Sequence, residues 1–125
     1  MNVDKALAEV WSAMLDPQNY GDDWFGIRLR ELLTVASGTP LRGLFPFTSV
    51  NNLHFSRCHE YPYTMDCPSV WFGIGPHYIT FAPPGRPEST VLLDTDDPVA
   101  AIEAAVRALP PEAYTTVWVG SAGSL

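Results

Sequence analysis

The spacing of apolar residues predicts a helix at the start of the chain. Residues 3–15 carry an apolar stripe at the spacing of one helix face. Asp16 and Pro17 should end this helix, because a residue that precedes proline is pushed out of the helical conformation. The next residues, 17–22, are polar and are predicted to form a loop.

A second helix is expected to begin near Asp22 or Asp23, either of which can cap its free backbone N–H groups. The same apolar spacing continues for about three turns. Gly38 followed by Pro40 then marks the end of this helix, since glycine and proline are typical of helix C-termini. The N-terminal third of the chain is therefore predicted to be helical.

From Leu41 onwards the apolar period changes to two, which is typical of half-buried strands. Runs of this kind lie at 53–56, 70–74 and 78–81. Gly75 and Pro76 fit a tight turn that joins the last two runs into a hairpin. A further short strand is predicted at 90–93. The middle of the chain should thus form an antiparallel sheet.

The clearest helix signal follows these strands. Asp97 is a plausible N-cap, and Pro98 stands at the first helical position, where its missing N–H costs nothing. Prolines 110–111 should end the helix. Residues 114–119 are predicted to form a last strand, and 121–125 a flexible tail.

This order of elements is typical of the α+β class, in which helices and antiparallel strands are segregated along the chain. A length of 125 residues suits one globular domain, residues 1–125. We expect a mainly antiparallel sheet of about four or five strands. Two N-terminal helices and one C-terminal helix should pack on it.

Composition narrows the classes of function. The net charge is -7, with one lysine and six arginines, so neither nucleic acid nor an anionic membrane surface is an expected partner. The N-terminal residues lack the pattern of a secretory signal, and the chain has no apolar run of membrane-spanning length. We expect a cytoplasmic protein, in which Cys58 and Cys67 are thiols.

Reactive side chains are concentrated between residues 44 and 72, among aromatic ones. We hypothesise that His54 acts there as an acid or base, oriented by Asp66, with Arg57 holding a carboxylate or enolate. If strand alternation places Arg57 on the apolar face, its charge needs a partner such as Asp66 or a ligand anion. The expected ligand-binding aromatic residues are Phe47, Tyr63, Trp71 and Tyr78. This chemistry requires no cofactor.

Two other chemistries are less favoured. The residues His54, Cys58, His59 and Cys67 are of the types that zinc prefers. However, neighbouring residues on a strand point to opposite faces, so Cys58 and His59 do not easily share one ion, and no metal site is predicted. A nucleophilic or redox-active cysteine lacks a recognisable motif, and buried, inert thiols are the better interpretation.

Several segments resemble a known family. Residues 44–49, LFPFTS, precede LHFS at 53–56, and YPY at 61–63 precedes Cys67. The likeness extends to an N-terminal helix carrying Trp11 and to the helix at 95–109 that ends in Leu109 and Pro110. The chain resembles an uncharacterised actinobacterial domain family described as natural product biosynthesis proteins. The resemblance implies a setting beside specialised-metabolite enzymes, without implying a reaction.

We therefore expect a small accessory protein of natural product biosynthesis. It would bind a small-molecule intermediate or a pathway enzyme through the sheet face built from residues 44–81. If it is catalytic, we expect an acid/base cyclisation or isomerisation without a cofactor. The alternative is a non-catalytic acidic interaction module, of the immunity or partner-masking kind, that meets a basic target. A third reading is a homodimer formed through exposed aromatic side chains.

Overall fold

The computed structural model describes residues 2–86 and 88–124. The α-helices are α1 (Val3–Leu15), α2 (Pro17–Tyr20), α3 (Trp24–Ser37) and α4 (Pro98–Arg107). Short 3₁₀ helices lie at Pro40–Gly43, Pro111–Tyr114 and Ala122–Ser124. The strands are β1 (Phe45–Ser49), β2 (Asn52–Ser56), β3 (Ser69–Phe72), β4 (Tyr78–Phe81) and β5 (Val91–Thr95). The expected α+β fold class is confirmed.

The five strands form one sheet in the order β1-β2-β3-β4-β5, and each strand runs antiparallel to its neighbour. Residues directly opposite each other in such a sheet share a face. One face is buried under the helices and carries the side chains of Leu53, Phe55, Val70, Phe72 and Tyr78. The other face has no helix on it among the described residues.

Polar contacts tie the helices to the buried face. The indole N–H of Trp11 in α1 donates a hydrogen bond of 2.9 Å to the carbonyl oxygen of Leu44. The hydroxyl of Thr80 in β4 donates one of 2.8 Å to the carbonyl oxygen of Ala101 in α4. These bonds satisfy groups that would be costly to bury unpaired, and they fix where each helix sits.

The helix starts follow from their caps. Asp23 is the N-cap of α3, which begins at Trp24. Its carboxylate accepts a hydrogen bond of 2.9 Å from the backbone N–H of Gly26. Asp97 accepts one of 2.9 Å from the N–H of Val99, with Pro98 at the first helical position. The predicted start of α4 is therefore confirmed. No helix in the described part of the chain is long and apolar enough to cross a bilayer.

Some local predictions are wrong. The predicted loop 17–22 contains the short helix α2, because Asp16 caps it by accepting a hydrogen bond from the N–H of Gln18. The structure contains strand β1, which the alternation of apolar residues in the sequence does not indicate. The link between β3 and β4 spans residues 73–77 and is longer than a two-residue turn.

The C-terminal segment also differs from the prediction. Residues 114–119 do not form a strand of the sheet; they make a single parallel bridge, between Trp118 and Cys58. The predicted flexible tail forms a 3₁₀ turn over its described part, and the N–H of Ala122 donates a 2.8 Å hydrogen bond to the carbonyl oxygen of Pro62. Leu125 lies outside the described residues. This segment therefore packs beside the sheet rather than extending it.

A candidate ligand-binding groove

The face of the sheet opposite the helices carries a depression, which we call the groove. It consists of three adjoining cavities of about 220, 330 and 460 Å³ that share lining residues. The strands supply its floor, with the side chains of Phe47, Asn52, His54, Trp71, Ile79 and Phe81. Two loops supply its walls. One is the loop 57–68, and the other joins β4 to β5 and is described at residues 82–86 and 88–90; we call it the loop 82–90.

The sheet register explains why these side chains meet. Phe47 lies opposite His54, Asn52 opposite Trp71, and Trp71 opposite Ile79. Since opposite residues in an antiparallel sheet point the same way, four strands present these side chains on one surface. The loop 57–68 adds Tyr61, Tyr63 and Met65 to this surface, and the loop 82–90 adds Pro84, Gly85 and Arg86.

His54 lies at the centre of the floor and is only 7% exposed. Its ring stacks on Phe47 with centroids 5.0 Å apart, and Phe47 stacks in turn on Tyr63 at 4.0 Å. Burial lowers the pKa of His54 below its ordinary value of 6.5. The imidazole is therefore neutral at neutral pH, with one nitrogen that donates and one that accepts a hydrogen bond.

Gly85 covers the other side of the histidine. Its φ of +80° is a conformation that favours glycine, and a Cβ there would lie 3.1 Å from Cε1 of His54 and 2.9 Å from Cβ of Ser69. The loop 82–90 thus approaches the floor closely only because residue 85 has no side chain. This approach encloses His54 between a backbone and an aromatic ring.

Two buried polar atoms near this contact have no hydrogen-bond partner among the described residues: Oδ1 of Asn52 and Oγ of Ser69. Native proteins leave few buried polar atoms unpaired, so each one calls for an explanation. Asn52 lines two of the three cavities. A bound polar group is one such explanation for Asn52.

The charge of the groove differs from that of the molecule. The chain has 14 acidic residues, yet no aspartate or glutamate appears among the described residues that line the three cavities. Arg86 carries the one formal charge in that set, because His54 is neutral. The groove is therefore a neutral-to-basic area on an acidic protein.

The structure brings two of the three proposed catalytic residues together, away from the third. Nε of Arg57 lies 2.8 Å from Oδ2 of Asp66, and the side chains are 15% and 38% exposed. Arg57 also donates to the carbonyl oxygen of Thr116 and lies over the ring of Trp118. Neither Arg57 nor Asp66 lines a cavity of the groove, so Asp66 engages Arg57 rather than His54.

Three of the four proposed ligand-binding aromatic residues line the groove: Phe47, Tyr63 and Trp71. Tyr78 instead lies on the buried face of β4, where its hydroxyl donates a hydrogen bond to Glu31 of α3. Burial and the Glu31 carboxylate raise the pKa of Tyr78 to about 12. Its neighbour Ile79 takes the position in the groove, because side chains alternate between faces along a strand.

The cysteines are buried and free. Burial, with a further contribution from the charge of Asp66, raises the pKa of the Cys67 thiol to about 12, so it is not a nucleophile at neutral pH. The Cys58 sulfur lies 3.5 Å from the carbonyl oxygen of Glu60 and 3.6 Å from that of Pro62, and its single S–H has both as acceptors within reach. Within residues 2–86 and 88–124, no three His, Cys, Asp or Glu side chains are grouped as metal ligands are.

Comparison with known proteins adds one relationship. The model of a family of unknown function, DUF6193, matches residues 5–118. The chain belongs to this family. Searches of curated proteins and of solved structures each found no match. The DUF6193 match covers every strand and α-helix except the first residues of α1, so the groove is part of the DUF6193 domain.

Sequence reasoning missed several residues of the groove in this DUF6193 domain. Asn52, Met65, Gly85 and Arg86 were not among the predicted site residues, although they line it. The sequence PPGRP at 83–87 predicts a loop, and nothing local indicates that the loop folds back over β2. One signal was present: Arg86 is a basic residue in a chain that has only seven.

Proposed function

We propose that this protein binds a small organic molecule in the groove, as an accessory protein of specialised-metabolite biosynthesis. The observation that carries the proposal is the buried, neutral His54 on an aromatic floor beneath an open cavity of about 460 Å³. Ligand pockets typically have volumes of about 300–1,000 Å³, apolar walls and a few polar groups.

The lining suits a molecule with a flat, unsaturated body. Trp71, Ile79 and Phe81 offer an apolar surface, and Phe47 with Tyr63 offers a second one. Aromatic rings add stacking energy to the burial of apolar area. Asn52 and His54 lie between the two surfaces and supply hydrogen-bonding groups for orientation.

His54 is also the residue that we propose for proton transfer, if the bound molecule is converted. A neutral imidazole can take a proton from a carbon or oxygen acid and return it elsewhere, as a cyclisation or isomerisation without a cofactor requires. The Arg57–Asp66 pair acts indirectly in this proposal. It anchors the loop 57–68, which carries Tyr63 and Met65 into the groove.

The metabolic setting rests on the resemblance of the segments 44–49 and 53–56 to natural product biosynthesis proteins of actinobacteria. Both segments contribute to the groove, through Phe47 and His54. A cytoplasmic location is part of the same proposal. The family match itself carries no description of function.

Native mass spectrometry of untagged protein from the organism that produces it tests this proposal. We expect a mass increment of a small organic molecule on the wild type. Ser49→Trp should abolish the increment, because Ser49 lines two of the cavities and a tryptophan there fills them. Ser12→Trp, on the exposed side of α1, is the matched control and should keep it. An increment that survives Ser49→Trp would place the molecule elsewhere and contradict the proposal.

Proton transfer has its own test. Protein carrying the captured molecule is incubated in deuterated buffer, and the released molecule is weighed by mass spectrometry. Wild-type protein should place deuterium on a carbon position, and His54→Gln should not. Equal deuterium in both would remove His54 from the chemistry while leaving the binding proposal intact.

The acidic interaction module remains the second candidate, and strand β5 favours it. This edge strand pairs only with β4 among the described strands, and Val91 and Leu92 are 52% and 40% exposed. An open apolar edge can accept a strand from another protein. If the native mass shows the bare chain only, and a captured basic protein dissociates steeply as salt rises, this candidate replaces the groove.

A further inference from the structure

The charge pattern of the groove bears on the class of its ligand. The loop 82–90 holds Arg86 at the rim of two cavities, both of which also contain His54. In residues 2–86 and 88–124, the ion pairs involve other basic residues: Arg28, Arg30, Arg57 and His77. Arg86 thus lines the groove and makes no ion pair with a carboxylate among the described residues.

The position of Arg86 is built by its own turn. The backbone N–H of Arg86 donates a 3.0 Å hydrogen bond to the hydroxyl of Ser89, and the N–H of Ser89 donates one of 2.8 Å to the carbonyl oxygen of Arg86. The N–H of Gly85 donates to the carbonyl oxygen of Ala82 at 3.0 Å. These bonds hold the backbone from which the Arg86 side chain extends, next to the close contact between Gly85 and His54.

The same arrangement disfavours a cationic ligand. No acidic side chain lines the groove among the described residues, so a buried ammonium group would have no counter-ion and would face the Arg86 charge. A carboxylate instead finds a guanidinium, whose planar set of N–H donors matches its two oxygens. The neighbouring neutral imidazole can donate a further hydrogen bond to it.

We infer that the groove selects a flat aromatic or unsaturated carboxylic acid, with its carboxylate at Arg86 and its ring system over Trp71. This inference rests on the proposed function, since it names the substrate class of the same site. The overall charge of the protein works against an anion. The selectivity therefore has to come from the local field of Arg86, which acts strongly at contact distance and is screened farther away.

Three probes of one shape and different charge test the inference: 2-naphthoate, 2-naphthamide and 2-(aminomethyl)naphthalene at neutral pH. Their binding is followed by nuclear magnetic resonance, using the indole signal of Trp71 and the ring signals of His54. We expect 2-naphthoate to bind about tenfold more tightly than 2-naphthamide, the ratio that one charge-assisted hydrogen bond supplies. The amine should bind most weakly.

Arg86→Gln should bring the affinities for naphthoate and naphthamide to about the same value, by weakening naphthoate alone. Arg107→Gln is the matched control. It removes the same charge from an exposed position on α4 and should leave the ratio unchanged. Arg86→Lys should retain part of the preference, because the charge stays while the planar fork is lost.

Two results would overturn the inference and leave the groove as a binding site. One is equal binding of naphthoate and naphthamide to the wild type; the other is a naphthoate preference that survives Arg86→Gln. Failure of all three probes to shift the signals of Trp71 and His54 would overturn the inference together with the proposed function. The two failures are therefore distinguishable.

Discussion

His54 owes its chemistry to its neighbours rather than to its place on a strand. Alternation along β2 sets it on the face away from the helices, where a histidine is ordinarily solvated. The ring of Phe47 and the backbone of Gly85 enclose it there instead. Enclosure removes water from the imidazole, and the charged form becomes the costly one.

This environment predicts a loss of stability in acid. Because the pKa of His54 is lowered in the folded state, the unfolded chain takes up its proton first as the pH falls through the ordinary value of 6.5. The contribution of His54 to the free energy of unfolding is thus fully present above that pH and is lost as the pH falls below it. The melting temperature should fall between about pH 7.5 and about pH 5.5. In His54→Gln the fall should be smaller, since glutamine does not titrate.

His77→Gln is the control for that experiment, because it removes an exposed histidine outside the groove. It should keep the acid sensitivity that His54 confers. An equal fall in melting temperature for the wild type and His54→Gln would contradict the assignment of a buried, neutral imidazole.

A second prediction at this scale concerns Gly85. Gly85→Ala should lower the free energy of unfolding by about 2–4 kcal/mol, from a strained positive φ together with a collision against Ser69 and His54. Gly21→Ala is a matched control. Gly21 has a φ of +67° and a ψ of -164°, a conformation that favours glycine, but open space around it, so alanine there should cost the backbone strain alone, about 1–3 kcal/mol. Urea denaturation of both variants measures the difference, and equal costs would mean that the loop does not press on the floor.

At the scale of elements, helix starts follow local rules and the joining of helices to strands does not. The caps Asp23 and Asp97 act on backbone groups two or three residues away, so the sequence indicates them directly. The hydrogen bond from Tyr78 to Glu31 joins β4 to α3 across 47 residues. Its existence depends on how α3 crosses the sheet.

That bond predicts the outcome of a substitution. Tyr78→Phe should lower the free energy of unfolding by about 1–2 kcal/mol, because a buried hydroxyl that donates to a carboxylate is lost. Tyr63→Phe removes the same atom from a residue in the groove and should change stability by no more than about 0.5 kcal/mol. Chemical denaturation measures both. A loss in Tyr63→Phe as large as that in Tyr78→Phe would contradict this account.

At the scale of the whole molecule, the C-terminal segment supports the wall of the groove. The N–H of Trp118 donates to the carbonyl oxygen of Arg57, and the N–H of Glu60 donates to that of Gly120. Arg57 adds its ion pair with Asp66 and lies over the Trp118 ring at 5.3 Å. Residues 116–120 and the loop 57–68 are therefore one unit, separate from the strand ladder.

Arg57→Gln should loosen this unit. We expect a loss of about 1–2 kcal/mol in the free energy of unfolding, the range of a partly exposed, hydrogen-bonded ion pair. Faster hydrogen exchange at the amides of Trp118 and Ala122 should accompany it. Arg42→Gln is the control, because Arg42 lies over Trp11 at a similar 5.4 Å and makes no ion pair within the described residues. Unchanged hydrogen exchange in Arg57→Gln would show that the backbone bridge between Cys58 and Trp118 holds the C-terminal segment without the Arg57 side chain.

Much of the fold was predictable, and part of the site. Strand alternation, with the concentration of aromatic residues between 44 and 72, identified His54, Phe47, Tyr63 and Trp71 as pocket residues, and all four line the groove. The same pattern could not separate Tyr78 from them, because the face on which a residue lies depends on the register between strands. It left open whether Arg57 pairs with Asp66 or with a ligand anion, since strand β2 ends at Ser56 and alternation stops there.

The sequence alone determined what depends on neighbours along the chain. Caps, proline stops and apolar periods set the helices, most of the strands and the α+β class, because each acts over a few residues. Tertiary structure alone decided which face the helices cover, how the loop at Gly85 closes over His54, and where Arg86 meets the groove. Those contacts join residues that are far apart in the sequence, such as Gly85 and His54, and packing of the whole chain selects them.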